Sequence, residues 1–223
     1  MWLFVVLGCS GSESGDTAED KTYAAPRLEA GLLVLDAMAG AVPGAVCTHG
    51  DQSSSTGETG ESMLRVDMES SFEIGVSSPE HRTHSLVGKA GTDDFKYRAT
   101  LLSDTFIGQA YSLLGITEEG GSSLLVVSLE LDDFGPAMGS AAQTSAAHSG
   151  AFVLGAVDFL QTSEIQPNGR AFVVFPNAAP GSASVEVTAR EGEDCRLHPA
   201  GDSQAEVELR EGEVTFALFR CSG

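Results

Sequence analysis

Alternation of apolar and polar side chains with a period of two is the feature that most constrains the fold of this chain. Such a pattern places every second side chain on the same face of a strand, so that one face packs on a core and the other meets water. Residues 122–131 are mostly apolar, which indicates a more deeply buried strand. Helical periodicity is scarce, and the sequence predicts an all-β fold of antiparallel strands. The clearest alternations span residues 64–69, 72–76, 95–101, 183–188, 204–209 and 214–219.

Two turns of the C-terminal third share one sequence. Residues 190–193 and 210–213 both read Arg-Glu-Gly-Glu, and each follows a predicted strand. Gly192 and Gly212 can adopt the positive φ that a tight hairpin turn requires. We therefore expect an antiparallel meander in this part of the chain, with aliphatic side chains inward and carboxylates outward.

The charge balance restricts the classes of partner. The chain has 223 residues, with 32 Asp and Glu against 12 Lys and Arg, and its formal net charge is −20. Proteins bind nucleic acid through clustered Lys and Arg that release counterions, whereas the cations here are scattered, so we predict no nucleic-acid partner. Hydrophobic residues make up 42% of the chain, which excludes a wholly disordered protein.

The first nine residues form an apolar segment that ends in a cysteine. Trp2–Leu7 is followed by Gly8, Cys9 and a stretch of Ser, Gly and acidic residues. This order resembles a bacterial lipoprotein signal. The resemblance implies a signal peptide at 1–8, diacylglycerol on the Cys9 thiol and a disordered acidic tether at 9–22. It implies a membrane partner through the lipid anchor, and a location at the bacterial outer membrane or outside the cell.

Two features depart from that signal pattern. No Lys or Arg precedes the apolar segment, and the segment falls just short of the usual length of roughly 7 to 15 residues. The alternative is that residues 2–7 form a first strand and that Cys9 is an ordinary cysteine. No other stretch approaches the ~18 consecutive apolar residues of a spanning helix, so the lipid would be the only membrane anchor.

Three cysteines remain if Cys9 is lipidated, namely Cys47, Cys195 and Cys221. An odd number in an oxidising compartment permits one disulfide bond and one free thiol. Cys195 and Cys221 lie close together in the C-terminal β region and are the preferred pair. Cys47 is an alternative partner, and three buried unpaired thiols are the other interpretation.

A second resemblance rests on residues 171–187, which read AFVVFPNAAPGSASVEV. An apolar strand that runs into Asn177-Ala178-Ala179-Pro180 and then into a second strand is similar to the opening motif of a family of secreted bacterial domains of uncharacterised function. A poorer copy lies near residues 33–46. The resemblance implies an immunoglobulin-like β-sandwich, in one unit or two tandem units, without catalytic residues to carry over. It also implies that Tyr111–Ile116 closes a first repeat as a strand.

The segment 136–150 is rich in Ala, Ser and Gly and is the candidate linker between domains, with a short helix as the alternative. It separates a first β domain at 23–135 from a second at 151–223. The alternative is that 151–223 is the second half of one sandwich.

Residue types suited to catalysis or metal binding occur without a recognisable pattern. No Gly-x-Ser-x-Gly motif is present, and the serines of 52–62 lie in a polar segment typical of a loop. His81 and His84 follow a Ser-Ser-Pro turn signal, and we interpret them as exposed loop histidines rather than zinc ligands. We predict no metal and no cofactor. Acidic pairs that we interpret as solvating charges rather than Ca²⁺ ligands are Asp93–Asp94, Glu118–Glu119 and Asp132–Asp133.

The sequence therefore predicts a protein that is not an enzyme. We expect a lipid-anchored β protein of the cell envelope that serves as a surface scaffold or binding module, with an envelope or extracellular protein as partner. The alternative function is a secreted hydrolase whose site is assembled from distant loops. A pocket where His converges with Ser or carboxylates would favour that alternative.

Overall fold

A computed structural model describes residues 26–155, 159–167 and 169–223. The predicted signal peptide at 1–8, Cys9 and the tether at 9–22 lie outside the described residues. The chain begins with β1 (Arg27–Asp36), β2 (Val46–His49), β3 (Gln52–Ser55), β4 (Glu61–Asp67), β5 (Ser71–Ser78), β6 (His81–Lys89), β7 (Phe95–Leu101) and the helix α1 (Asp104–Leu114). It continues with β8 (Ser123–Leu131), β9 (Ala141–Thr144), β10 (Phe152–Leu154), β11 (Phe159–Leu160), β12 (Phe172–Ala178), β13 (Gly181–Thr188), β14 (Asp194–Leu197), β15 (Gln204–Leu209) and β16 (Val214–Ser222).

These strands form three sheets stacked in three layers. The N-terminal outer sheet has the order β4-β1-β7, and the C-terminal outer sheet has the order β15-β13-β9. Between them lies the central sheet, with the order β11-β10-β12-β8-β16-β6-β5-β2-β3 and with β14 paired to β16. The predictions of an all-β fold and of a β-sandwich are confirmed.

Each face of the central sheet carries its own hydrophobic core. On β8, Leu124 and Val126 pack toward the N-terminal outer sheet, whereas Leu125 and Val127 pack toward the C-terminal one. Strand β8 is therefore buried on both faces, which explains its continuous apolar sequence. Each fully buried aliphatic side chain contributes roughly 1.5–3 kcal/mol relative to an exposed one.

One pairing scheme occurs twice along the chain. Strand β1 pairs with β4 antiparallel and with β7 parallel, just as β8 pairs with β12 antiparallel and with β16 parallel. Strands β2, β5 and β6 pair in sequence, as β9, β13 and β15 do. The turns after β1 and β8 also correspond, since Ala39 and Phe134 both have positive φ. The same scheme thus recurs in residues 27–101 and in residues 123–222, which we call the first and second units.

The change from one unit to the next falls around α1, at residues 102–122. The segment 136–150, predicted as a linker, contains β9, which pairs with β13 inside the second unit. Its small residues fill tight buried sites, as Ala137, Ser140 and Ala142 show. The two units also share the central sheet, because β16 of the second pairs with β6 of the first. Independent folding of two domains stays a prediction.

The expected C-terminal meander is wrong. Gly192 and Gly212 do have positive φ, but the turns that contain them connect different layers rather than neighbouring strands. Strand β15 belongs to the C-terminal outer sheet, whereas β16 lies in the central sheet between β6 and β8. Both faces of β16 are buried from Val214 to Phe219, so this strand belongs in a middle layer. Its pairings with β6 and β8 are parallel, as is that of β1 with β7, so the sheets are not purely antiparallel.

A helix replaces the strand expected at Tyr111–Ile116. Ser103 caps α1, because its Oγ accepts a hydrogen bond from the Phe106 N–H at 3.1 Å. Gly115 ends the helix with φ 66°, a left-handed conformation that glycine adopts at little cost. No helix in the described ranges is long and apolar enough to cross a membrane.

Candidate functional site

Cys195 and Cys221 form a disulfide bond between β14 and β16. They face each other across the ladder of the central sheet and are both buried. Cys47 lies on β2 as a buried free thiol. Burial raises the pKa of the Cys47 thiol, which keeps this side chain protonated and disfavours nucleophilic chemistry there.

The histidines expected in an exposed loop lie on β6 instead, and this expectation is wrong. His84 is fully buried, and its Nδ1–H donates to the Arg82 carbonyl at 2.7 Å. Its Nε2 accepts a hydrogen bond from the Leu102 N–H at 3.1 Å. Desolvation lowers the pKa of His84 to about 4, so the ring is neutral at pH 7. Both nitrogens of His84 are therefore committed to backbone groups and are not free to bind a metal.

Asn177, from the motif at 177–180, ties three segments together. It has φ 53° and is almost completely buried where β12 ends. Its backbone N–H donates to Tyr111 Oη on α1 at 3.0 Å. The side chain donates to Thr117 O (2.9 Å) and Ser149 Oγ (3.0 Å), and accepts from Glu119 N–H (3.0 Å) and Ser122 Oγ–H (3.3 Å). Asn177 therefore connects β12 to the segment 102–122 around α1 and to the loop after β9.

The same motif borders a cleft of about 370 Å³ that also includes His148 and Ser149. Ser149 Oγ is the acceptor of an Asn177 amide proton, and His148 Nδ1 accepts a hydrogen bond from the Gly150 N–H at 3.0 Å. The His148 ring packs edge-on against Phe175. Activation of a serine requires a direct hydrogen bond to a base. Among the described residues Ser149 and His148 form no hydrogen bond with each other, so their arrangement is not that of a nucleophile with its base.

A carboxylate is buried in the central sheet between two arginines. Glu130 of β8 is 1% exposed, and its Oε1 lies 2.7 Å from Arg98 and accepts a hydrogen bond from Ser128 at 3.0 Å. Its Oε2 lies 3.5 Å from Arg220. Both guanidinium groups also stack on Phe134, which forms the turn after β8. This cluster joins β7 of the first unit to β8 and β16 of the second, and sequence patterns gave no sign of it.

Tyr97 joins the two units at the point where their shared ladder ends. Strands β6 and β16 pair as far as Val87 and Ala217. One step further, the Tyr97 hydroxyl accepts a hydrogen bond from the Leu218 N–H at 3.1 Å and donates to the Val87 carbonyl at 3.0 Å. Complete burial raises the pKa of Tyr97, so the hydroxyl keeps its proton. This hydrogen bonding could be expected from the sequence, because Tyr97 falls on the core-facing side of the 95–101 alternation. A buried tyrosine hydroxyl requires hydrogen-bond partners.

A groove lies where the C-terminal outer sheet ends above the central sheet. It has a volume of about 520 Å³. Residues 204–208 of β15 form one wall, and Ser71, Glu73 and Lys89 line the floor provided by β5 and β6. Arg210 forms a bidentate ion pair with Glu73, so this contact links the turn after β15 to the floor. A volume of this size falls in the range of ligand-binding clefts.

Metal ligands do not cluster in the part of the chain that the structure describes. No group of three or more His, Cys, Asp or Glu side chains converges there to hold an ion. The acidic pair Asp93–Asp94 instead contributes to the fold, since the Asp94 carboxylate accepts a hydrogen bond from the Glu29 N–H at 2.7 Å.

No protein-family model and no curated protein sequence matches the chain. Among solved structures it is similar to GBS52, the minor pilin of Streptococcus agalactiae, with 8% identity over 88% of this chain and 97% of that chain and a TM-score of 0.31. It is similar to the shaft pilin SpaA of Lactobacillus rhamnosus GG, with 9% identity over 89% and 99% of the two chains and a TM-score of 0.28. The Bacillus anthracis TIE protein aligns over 87% of this chain and only 34% of its own length, with 12% identity and a TM-score of 0.28. These values carry no inference about function.

Proposed function

We propose that the protein is a lipid-anchored β protein of the bacterial cell envelope and acts as a non-catalytic scaffold or binding module. The observation that carries the non-catalytic part is how its buried polar side chains are used. Tyr97, His84 and Asn177 each hydrogen-bond backbone groups from separate segments, and Glu130 binds arginines from two strands. These groups are engaged in contacts within the fold, and this supports a non-catalytic role for them.

The charge distribution supports a β structure that the predicted tether holds at a distance from the membrane surface. Residues 183–213 carry nine acids and three arginines, and the exposed faces of β13 and β15 present several of these carboxylates. The tether predicted at 9–22 adds Glu13, Asp16, Glu19 and Asp20. Repulsion among the carboxylates of the predicted tether favours an extended conformation. Repulsion between the acidic β structure and anionic lipid favours a separation between them.

The lipid anchor is tested by metabolic labelling with palmitate in a bacterium that processes lipoproteins. We expect label on the wild-type chain and on Cys47→Ala, the matched control that removes a different cysteine outside the disulfide. We expect none on Cys9→Ala, because the acylated thiol is gone. Equal labelling of wild type and Cys9→Ala, or no label on either, would remove the anchor from the proposal.

The hydrolase alternative is tested with a fluorophosphonate probe that reacts with activated serines. The hydrogen bonds of Ser149 and His148 predict no labelling above that of Ser149→Ala. Labelling that Ser149→Ala abolishes would establish a reactive serine and would contradict the non-catalytic role.

A further inference from the structure

Strands β6 and β15 hold equivalent places in the two units but differ in their pairing. Strand β6 is paired along both edges, whereas β15 is paired along one. Strand β6 of the first unit pairs with β5 on one side and with β16 on the other. Strand β15 occupies the equivalent place in the second unit, where it pairs with β13 on one side. Its other side borders the groove of about 520 Å³. Among the residues that the structure describes, one of two equivalent edges is therefore filled by a strand of the same chain and the other has no strand paired to it.

The open edge presents backbone groups as well as side chains. The Val187 N–H donates to the Ser203 carbonyl at 2.9 Å, which sets the alternation of the β13–β15 ladder. By the register, Ala205 and Val207 direct their backbone groups to β13, whereas Gln204 and Glu206 direct theirs into the groove. On the same outward side, the Asp202 carbonyl accepts a hydrogen bond from the Leu197 N–H at 2.8 Å, and the Glu208 carbonyl accepts one from the Thr215 hydroxyl at 3.3 Å. The open part of the edge is therefore Gln204 to Glu206. Unpaired donors and acceptors at every second residue are the template on which an additional strand pairs.

The charges of the groove specify which strand would fit. Exposed Asp202, Glu206 and Glu208 line it, and Lys89 is the cation on its floor. The remaining carboxylate, Glu73, is already neutralised by Arg210. An incoming strand with Lys or Arg at alternate positions would place its cations beside the carboxylates of β15, whereas an acidic strand would be repelled.

We propose that the β15 edge and its groove bind an extended, basic segment of a partner protein as an added strand. The proposal rests on the binding-module function and names the class of partner. The pairing of β16 with β6 shows how a strand sits on the equivalent edge. A second copy of this chain is a poorer occupant, because two molecules of formal charge −20 repel each other.

The test uses the full-length Cys9→Ala chain and the peptide (Lys-Val)₄, labelled with a fluorophore, at about 150 mM salt, where the Debye length is about 8 Å. We expect saturable binding by anisotropy and slower hydrogen exchange at the backbone amides of Gln204 and Glu206. The peptide (Glu-Val)₄ controls for charge. The peptide (Lys-Pro)₄ keeps the charge but lacks half of the main-chain donors, so we expect both to bind at least about tenfold more weakly.

Two variants of one residue separate charge from strand pairing. Glu206→Gln removes the carboxylate alone and should weaken binding about threefold, whereas Glu206→Pro also removes the outward N–H and should weaken it about tenfold or more. Glu80→Gln, in the turn between β5 and β6 and outside the groove, should bind like wild type. Circular dichroism and a urea unfolding curve for each variant establish that it is folded.

Several results would overturn the proposal. These are the absence of peptide binding, equal binding by Glu206→Pro and wild type, and exchange protection confined to other strands. Sedimentation that reveals a dimer with protected β15 amides would assign the edge to a second copy instead. None of these results affects palmitate labelling of Cys9, so failure of this inference and failure of the anchor are distinguishable.

Discussion

At the scale of single residues, this structure depends on buried polar side chains that each form hydrogen bonds with backbone groups of two segments. Tyr97 completes the hydrogen bonding between β6 and β16 where their ladder ends. His84 hydrogen-bonds the Arg82 carbonyl of β6 and the Leu102 N–H just before α1. A buried donor or acceptor without a partner costs about 1–3 kcal/mol, so each of these side chains is expected to be sensitive to substitution.

Tyr97→Phe should lower the free energy of unfolding by about 2 kcal/mol, because it leaves the buried Leu218 N–H and Val87 carbonyl without their partner. The measurement is a urea unfolding curve at pH 7. Thr100→Ser, on the opposite face of the same strand, is the control and should change the value by less than about 0.5 kcal/mol. Equal effects of the two substitutions would contradict the role assigned to the hydroxyl.

His84 makes stability depend on pH. Its pKa is about 4 in the folded chain and about 6.5 when unfolded, so the unfolded state binds the additional proton between these values. The contribution of neutral His84 is fully present above pH 6.5 and is lost as the pH falls toward 4, by about 3 kcal/mol in total. Burial also lowers the pKa of His198, which acts in the same direction.

Unfolding curves at pH 7, 5.5 and 4.5 measure this dependence. His84→Gln should flatten the curve of stability against pH, whatever its effect at pH 7, because the titrating ring is gone. Thr83→Ser, a change of a residue that does not titrate, is the matched control on the same strand and should retain the wild-type slope. A slope unchanged in His84→Gln would locate the titration elsewhere.

At the scale of elements, α1 is a short helix whose ends are specified locally. Ser103 caps its start through the Phe106 N–H, and Gly115 ends it in a left-handed conformation. Ile107 and Tyr111 are its buried side chains, and Tyr111 also supports Asn177. The helix therefore connects the two units through packing and through the motif at 177–180.

Ser103→Ala should destabilise the chain by about 1 kcal/mol through loss of the N-cap. Ser112→Ala is the control inside the same helix and should be neutral or slightly stabilising, because alanine is the better helix former. Thermal unfolding monitored by circular dichroism compares the two. A neutral Ser103→Ala would indicate that tertiary contacts alone hold the start of α1.

At the scale of the whole molecule, the two sandwich units share one sheet. Leu86 of β6 and Phe216 of β16 belong to the same core, and β6 would become an unpaired apolar edge without the second unit. We expect a single cooperative unfolding transition, with equal calorimetric and van't Hoff enthalpies in a calorimetric scan. Two resolved transitions would mean that the units fold independently, as the predicted division into domains suggests.

Several parts of this architecture were predictable from sequence because they depend on near neighbours. The strands at 64–69, 95–101 and 122–131 follow from alternation or continuous apolar sequence, and the positive φ of Gly192 and Gly212 follows from the turns. Helix α1 was missed, although Ser103 and Gly115 are typical of helix ends. An eleven-residue helix with few buried positions gives a weak periodic signal.

The sequence by itself determined that the chain is β-rich and strongly acidic, because charge follows from composition and alternation from adjacent residues. Only the tertiary structure decided which strands share a sheet. Strands β15 and β16 are joined by one turn yet lie in different layers, and β6 pairs with β16 across more than half of the chain. These partners are selected by the burial of both faces of β16 and by hydrogen bonds such as those of Tyr97. Long-range pairing of this kind leaves no local pattern, and the open edge of β15 is visible only once every other strand has its place.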